Sequence, residues 1–185
     1  MLNFLKREKI SDQDRIALVE EYIDLYGKGM TNFAYTYLHD WGEAEEIVQE
    51  VFLTVYEKIS TFKGGSSIKT WLYSITANRC KDLLRSSYKK RTVITDKIHL
   101  FMGGTVYSSE EQFSMTVDSM QLAKSVLSLP VKYREVIILY YYDEMNTKEI
   151  SQLLSINNST IRSRLQRGRN LLKERLEGGE GCESV

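Results

Sequence analysis

Near the carboxyl end, Thr160, Arg162, Ser163, Gln166, Arg167, Arg169 and Lys173 fall on the outward side of a helical repeat whose inward positions are Ile161, Leu165 and Leu172. These are not bond-making side chains. They are hydrogen-bonding and cationic groups of the kind that pair with base edges in a major groove, which admits one α-helix. The first turn of such a helix adds unpaired amides suited to phosphate. A solvated basic face is the plainer alternative, and what precedes the helix argues against it. Asn146-Thr147-Lys148-Glu149 is a cap signature that opens a short helix with Ile150, Leu153 and Leu154 inward. Ser155-Ile156-Asn157 then makes a tight turn, and Asn157 can cap the longer basic helix. Short helix, three-residue turn and basic helix make a helix-turn-helix. Ser155 stands where glycine would relieve a left-handed backbone.

A second set lies upstream. Trp71, Ser74, Asn78, Lys81 and Arg85 share one side of a helix predicted over about 69–85, with Leu72, Ile75 and Leu83 toward the core. Phe62, Lys63 and the loop Gly64-Gly65-Ser66-Ser67 come just before it. Aromatic rings beside cations are what separated strands need, and a glycine loop can close around one extruded base. Trp71 and Tyr73 as ordinary core aromatics is an equally open alternative at this point. Glu46, Gln49 and Glu50 form a third set, on one face of the preceding helix and suited to an arginine-rich partner. Taken alone, exposed acids usually only solubilise. As a metal site they lack a histidine or aspartate partner.

The elements that must carry these sets are helical. The 185 residues include a single proline, Pro130, and show no sustained strand alternation. Asp40-Trp41-Gly42-Glu43 reads as a helix start, with Asp40 as N-cap and Glu43 reaching back. Ala44, Ile47, Val48, Val51, Phe52, Val55 and Ile59 then form one apolar stripe. Pro130 suits the first turn of another helix, whose buried face is predicted to be Tyr133, Val136, Ile137, Tyr140 and Tyr141. Periodicity dissolves over 91–119, so a linker there divides a block at 15–90 from one at 120–176.

The composition, 42% hydrophobic and 27% charged, is that of a globular chain. The formal net charge is +0, so DNA binding must rest on local charge, such as the basic stretches at 79–97 and 162–175. Cys80, Cys182, His39 and His99 offer no metal-ligand spacing, and two lone thiols suit a reducing cytosol. No signal peptide and no spanning segment is expected, and the location is expected to be cytoplasmic.

Together the motifs resemble the sigma factors of bacterial RNA polymerase. Glu43–Phe52 looks like the region that grips the polymerase clamp helices. Phe62–Arg85 resembles the region that melts and reads the minus-ten element. Leu129–Ile138 and Ser159–Arg169 resemble the module that binds the minus-thirty-five element. Two such modules with no domain between them mark the extracytoplasmic-function group.

The resemblance implies an all-α protein of two small helical domains that is not an enzyme and has no cofactor, metal or catalytic residue. It implies core-polymerase contacts, to the β and β′ subunits, at or beside Glu46, Gln49, Glu50 and Phe52. The minus-ten strand would meet Phe62, Lys63, Gly64, Gly65, Ser66, Ser67, Lys69, Trp71, Asn78, Lys81, Asp82 and Arg85. The upstream duplex would meet Asn158, Ser159, Thr160, Arg162, Ser163, Gln166, Arg167 and Arg169. Implied partners are core polymerase, promoter DNA and an anti-sigma factor, often membrane-bound, while the chain itself enters no membrane. Ser151, Ser155 and Gly168 depart from the alanine, glycine and alanine more usual at their positions. Two other classes compete. A dimeric operator-binding regulator would bind duplex tightly by itself. A nucleic-acid-processing enzyme would require catalytic ligands that the sequence does not offer.

Overall fold

The computed structural model describes residues 11–91 and 117–177. The chain divides into two compact units, Met1–His99 and Leu100–Val185.

In the first unit, helix α1 (Asp12–Leu38) opens on Ser11, whose hydroxyl accepts from the Asp14 amide at 3.1 Å. Asp12 and Asp14 in the first turn complement the helix dipole. The helix ends where His39 turns left-handed at φ 57°. Asp40 then caps α2 (Trp41–Lys58), its Oδ1 accepting from the Glu43 amide at 2.9 Å. Every residue of the expected apolar stripe is buried, ending at Ile59 in a short 3-10 turn, Ile59–Thr61. After the glycine-serine loop, α3 runs Ile68–Arg91. It outlasts the expected stop near residue 85 because its last turns carry no helix breaker.

The three helices pack on Met30, Phe33, Val51, Val55, Ile59, Leu72 and Tyr73. Phe33 sits edge-on to Tyr37 at 5.2 Å and 5.3 Å from the Tyr73 ring. The inward side of α3 needs correcting. It is Thr70, Leu72, Tyr73, Thr76, Ala77 and Cys80 that are buried, while Ile75 and Leu83 are half-buried at its margins. Buried Thr76 donates its hydroxyl to the Leu72 carbonyl at 3.0 Å, so the polar atom costs little.

The second unit holds α4 (Val117–Leu127), α5 (Val131–Tyr141), α6 (Thr147–Leu154) and α7 (Asn158–Glu177). Pro130 is the N-cap of α5, one residue earlier than expected, and its carbonyl accepts from Tyr133 and Arg134. The buried face of α5 also differs from the expected one. Arg134, Glu135, Val136, Ile137 and Leu139 are buried, Tyr133 and Tyr140 are half-buried, and Tyr141 is exposed. Two charged residues can lie inward because partners meet them. Arg134 donates to the Leu127 carbonyl, and Glu135 receives Arg164 of α7 at 2.9 Å.

Of the expected linker, residues 92–116 lie outside those described, Arg91 ends α3, and Val117 opens α4. No described helix is long and apolar enough to cross a membrane.

Candidate nucleic-acid interface

The helix-turn-helix is built by local chemistry. Asn146 Oδ1 accepts from the Lys148 and Glu149 amides at 2.9 and 3.1 Å, and Glu149 Oε2 accepts from the Asn146 amide at 2.9 Å. This is the full reciprocal box. Ser155 ends α6 in the left-handed region at φ 55°, the conformation its place in the turn implied. Ser151 helps hold the turn closed, its hydroxyl donating to the Ile156 carbonyl at 2.6 Å. Asn158 is half-buried and ties the starts of the two helices, donating from Nδ2 to Thr147 Oγ1 at 3.0 Å. Its amide is therefore a brace before it is a contact for DNA.

From that start α7 buries Ile161, Leu165 and Gly168, with Leu172 only half-buried. Ser159, Arg162, Ser163, Gln166, Arg167 and Arg169 are exposed, and Thr160 is half-buried. Arg164 is spent on Glu135. Arg167 bonds the Tyr133 phenol and, with Lys132 above that ring at 5.0 Å, holds its pKa below the ordinary value. Arg169 donates from Nε to the Tyr141 hydroxyl at 2.8 Å. A Cβ at Gly168 would stand 3.0 Å from Ile137 Cγ1, so glycine is what lets α7 lie this close to α5.

On the first unit, Phe62 and Trp71 form a half-buried ring pair, centroids 5.1 Å apart and tilted 39°. Trp71 is thus a surface platform, whereas Tyr73 is core. Lys63, Gly64, Gly65 and Ser67 are exposed beside it and Ser66 is half-buried. Gly64 has φ 68°, where a side chain would be strained. Ser67 proves to be the cap of α3, its hydroxyl accepting from the Thr70 amide at 3.0 Å. Along the outward stripe, Asn78 is exposed and Lys81 is half-buried over the Tyr37 ring at 5.8 Å. Asp82 and Arg85 pair with each other at 3.4 Å. Lys69 lies over the Tyr73 ring at 5.7 Å, at the edge of the core side. The ring pair and the glycine loop lie at the start of α3 and the stripe runs on along it, while Lys69 lies on the Tyr73 side.

Glu46, Gln49 and Glu50 are exposed on α2. Phe52 is only 7% exposed and belongs to the buried stripe of α2, beside the exposed acidic face rather than on it. Leu53, missed in the sequence, is 68% exposed on the acidic side. Its signal was available: an apolar residue out of phase with the core stripe, three and four positions after Glu50 and Gln49. Among the described residues no group of histidine, cysteine, aspartate or glutamate could hold a metal ion.

Comparison with known proteins matches residues 22–90 to Sigma-70 region 2 and residues 119–172 to Sigma-70, region 4. The ECF RNA polymerase sigma factor SigW of Bacillus subtilis is 32% identical over 180 residues, which is 93% of this chain and 94% of SigW. The chain belongs to the ECF sigma factors. SigM of Bacillus subtilis is 30% identical over 156 residues, 84% of the sigma factor and 93% of SigM. Among solved structures, the sigma factor RpoE in complex with the anti-sigma factor NepR from Bartonella quintana shares the fold, with TM-score 0.68, 22% identity, and coverage of 85% and 96% of the two chains. CnrH in complex with the cytosolic domain of CnrY has TM-score 0.65 and 17% identity, covering 90% and 92%. A sigma factor directs transcription initiation by RNA polymerase and carries no chemistry of its own, in keeping with a surface of hydrogen-bond donors, cations and rings.

Proposed function

We propose that this sigma factor binds core RNA polymerase through the α2 face of Glu46, Gln49, Glu50 and Leu53. In the same scheme it captures the melted minus-ten strand on the Phe62–Trp71 platform and its glycine loop, and reads the minus-thirty-five duplex with α7. The exposed side of α7, fixed by the Asn146 box and the Glu135–Arg164 pair, is the observation that carries the scheme. Arg162, Ser163 and Gln166 occupy its first turns, where a helix entering the groove meets base edges. The two contacts reinforce each other through the polymerase, which raises the effective concentration of one at its site once the other is bound. Strand capture makes unpairing favourable at promoters that carry the right bases.

The sigma factor works in the cytoplasm, and an anti-sigma factor that covers its polymerase-binding surfaces holds it inactive. The relatives of like fold in complex with NepR and with the cytosolic domain of CnrY support that control. Transcription in vitro with purified core polymerase and a randomised promoter library tests the scheme. The expected result is enrichment of two sequence elements at minus ten and minus thirty-five; start sites no different from those of core enzyme alone would refute it.

A further inference from the structure

Tyr140, Tyr141 and Arg169 form a cluster that promoter reading by bases leaves unused. The Arg169 guanidinium lies 5.8 Å from the centre of the Tyr140 ring and 5.6 Å from that of Tyr141. The two rings meet nearly edge-on at 5.0 Å and 77°. Arg169 Nε donates to the Tyr141 hydroxyl at 2.8 Å. Guanidinium groups carry five N–H donors in a fixed plane, so anchoring Nε against one ring directs the fork of Nη donors away from it.

Two of the other cations on α7 meet carboxylates. Arg164 meets Glu135 at 2.9 Å, and Lys173 meets Glu177 at 3.6 Å. Arg169 is exposed and has no carboxylate partner among the described residues. Its position along the helix matters as much. Arg162 and Arg169 are seven residues apart and share a stripe, about 10 Å along the axis at about 1.5 Å per residue. The major groove is about 12 Å wide, so a helix whose first turns face base edges has reached the flanking backbone over that distance.

We propose that Arg169, braced by Tyr140 and Tyr141, is a phosphate contact that fixes the register of α7 on the upstream duplex, with Tyr141 as its positioning residue. The proposal rests on the promoter-binding role of the second unit and deepens it. A braced arginine fork matches phosphate oxygens in pairs, and such contacts set register without reading sequence.

The test uses holoenzyme reconstituted from core polymerase and full-length sigma factor, on a promoter taken from the library selection, with binding measured across a KCl titration. Arg169→Ala should lower the slope of log affinity against log salt by about one. The fractional loss should be the same on a promoter with an altered minus-thirty-five element. Tyr141→Phe keeps the charge and both rings, so the slope should hold while affinity falls about two- to tenfold, as for one lost hydrogen bond. Arg169→Lys should behave like Tyr141→Phe. Thermal unfolding of each variant separates loss of contact from loss of fold. An unchanged slope in a folded Arg169→Ala protein overturns the proposal, as does a loss confined to one upstream base. Arg162→Ala serves as the comparator. If it relaxes upstream discrimination while Arg169→Ala leaves the slope alone, the braced contact fails and promoter reading stands; if wild-type holoenzyme binds no promoter, both fail.

Discussion

Cys80 has no exposed surface, and burial pushes its thiol up to about 12, outweighing the opposite pull of a backbone hydrogen bond and Lys81. A raised pKa means that the folded state prefers the neutral thiol. The stability this gives is complete below the ordinary thiol value near 9.0 and drains away as pH climbs toward 12. A Cys182→Ser variant should therefore leave Cys80 unreactive to a disulfide reagent at pH 8 until the first unit unfolds. Rapid labelling of folded protein would contradict the burial. Gly168 poses the opposite test, of crowding. Alanine there gains about 1 kcal/mol of helix propensity but sets a methyl 3.0 Å from Ile137 Cγ1 and 3.2 Å from Cδ1. Ile137 is buried and β-branched, so its side chain cannot swing aside freely. Crowding of this kind costs about 1–3 kcal/mol, so Gly168→Ala should lower the urea midpoint slightly; a rise would mean that α5 and α7 can part. Single residues were legible in the sequence where their signal is local. Ser155 is left-handed because a three-residue turn demands it. Phe52 was legible as core from its stripe, and the family resemblance set it at or beside the polymerase-binding face. Arg134 and Glu135 were not legible, because charge in a sequence says surface until its partner is known.

The boundaries of α1, α2 and α6 follow from Ser11, Asp40 and Asn146, each of which satisfies an amide that the first turn leaves unpaired. Such signals act over three or four residues, which is why the cap at Asp40 and the box at Asn146 could be read directly. The seating of one helix on another is set by longer reach. Glu135 and Arg164 are 29 positions apart, so nothing in the α5 sequence announces that its inner face carries a carboxylate. For the same reason Tyr140 and Tyr141, in step with the apolar stripe, were expected inside; Tyr141 is instead 52% exposed and turned to Arg169. The pair makes a prediction for the helix it holds. Arg164→Ala leaves a carboxylate 3% exposed beside a vacated position, at a cost of about 1–3 kcal/mol. Thermal unfolding should show the loss, and affinity for upstream duplex should fall although Arg164 itself is turned to Glu135. An unaltered melting temperature would mean that apolar packing alone seats α7.

At the scale of the whole molecule, a net charge of +0 conceals two surfaces of opposite charge, an acidic face on α2 and a basic one on α7. In the proposed scheme each serves a different partner, the acidic face core polymerase and the basic one promoter DNA. Neither promoter contact need be strong alone, since tethering through polymerase supplies the concentration. It follows that damage to the acidic face should silence promoter recognition without touching a single DNA contact. Glu46 and Glu50 are exposed and outside the core, so changing both to lysine should alter folding stability by no more than about 0.5 kcal/mol each. Facing a basic partner, however, the reversed charges cost several kcal/mol, a loss of about a hundredfold or more in affinity. Leu53→Ser should give a smaller loss of the same kind, from apolar area alone. Co-purification with core polymerase measures both. Retention of polymerase by a folded Glu46→Lys, Glu50→Lys protein would move the binding face elsewhere on the first unit, to the exposed Ile16, Ile23 and Leu25 of α1 as the next apolar surface to examine.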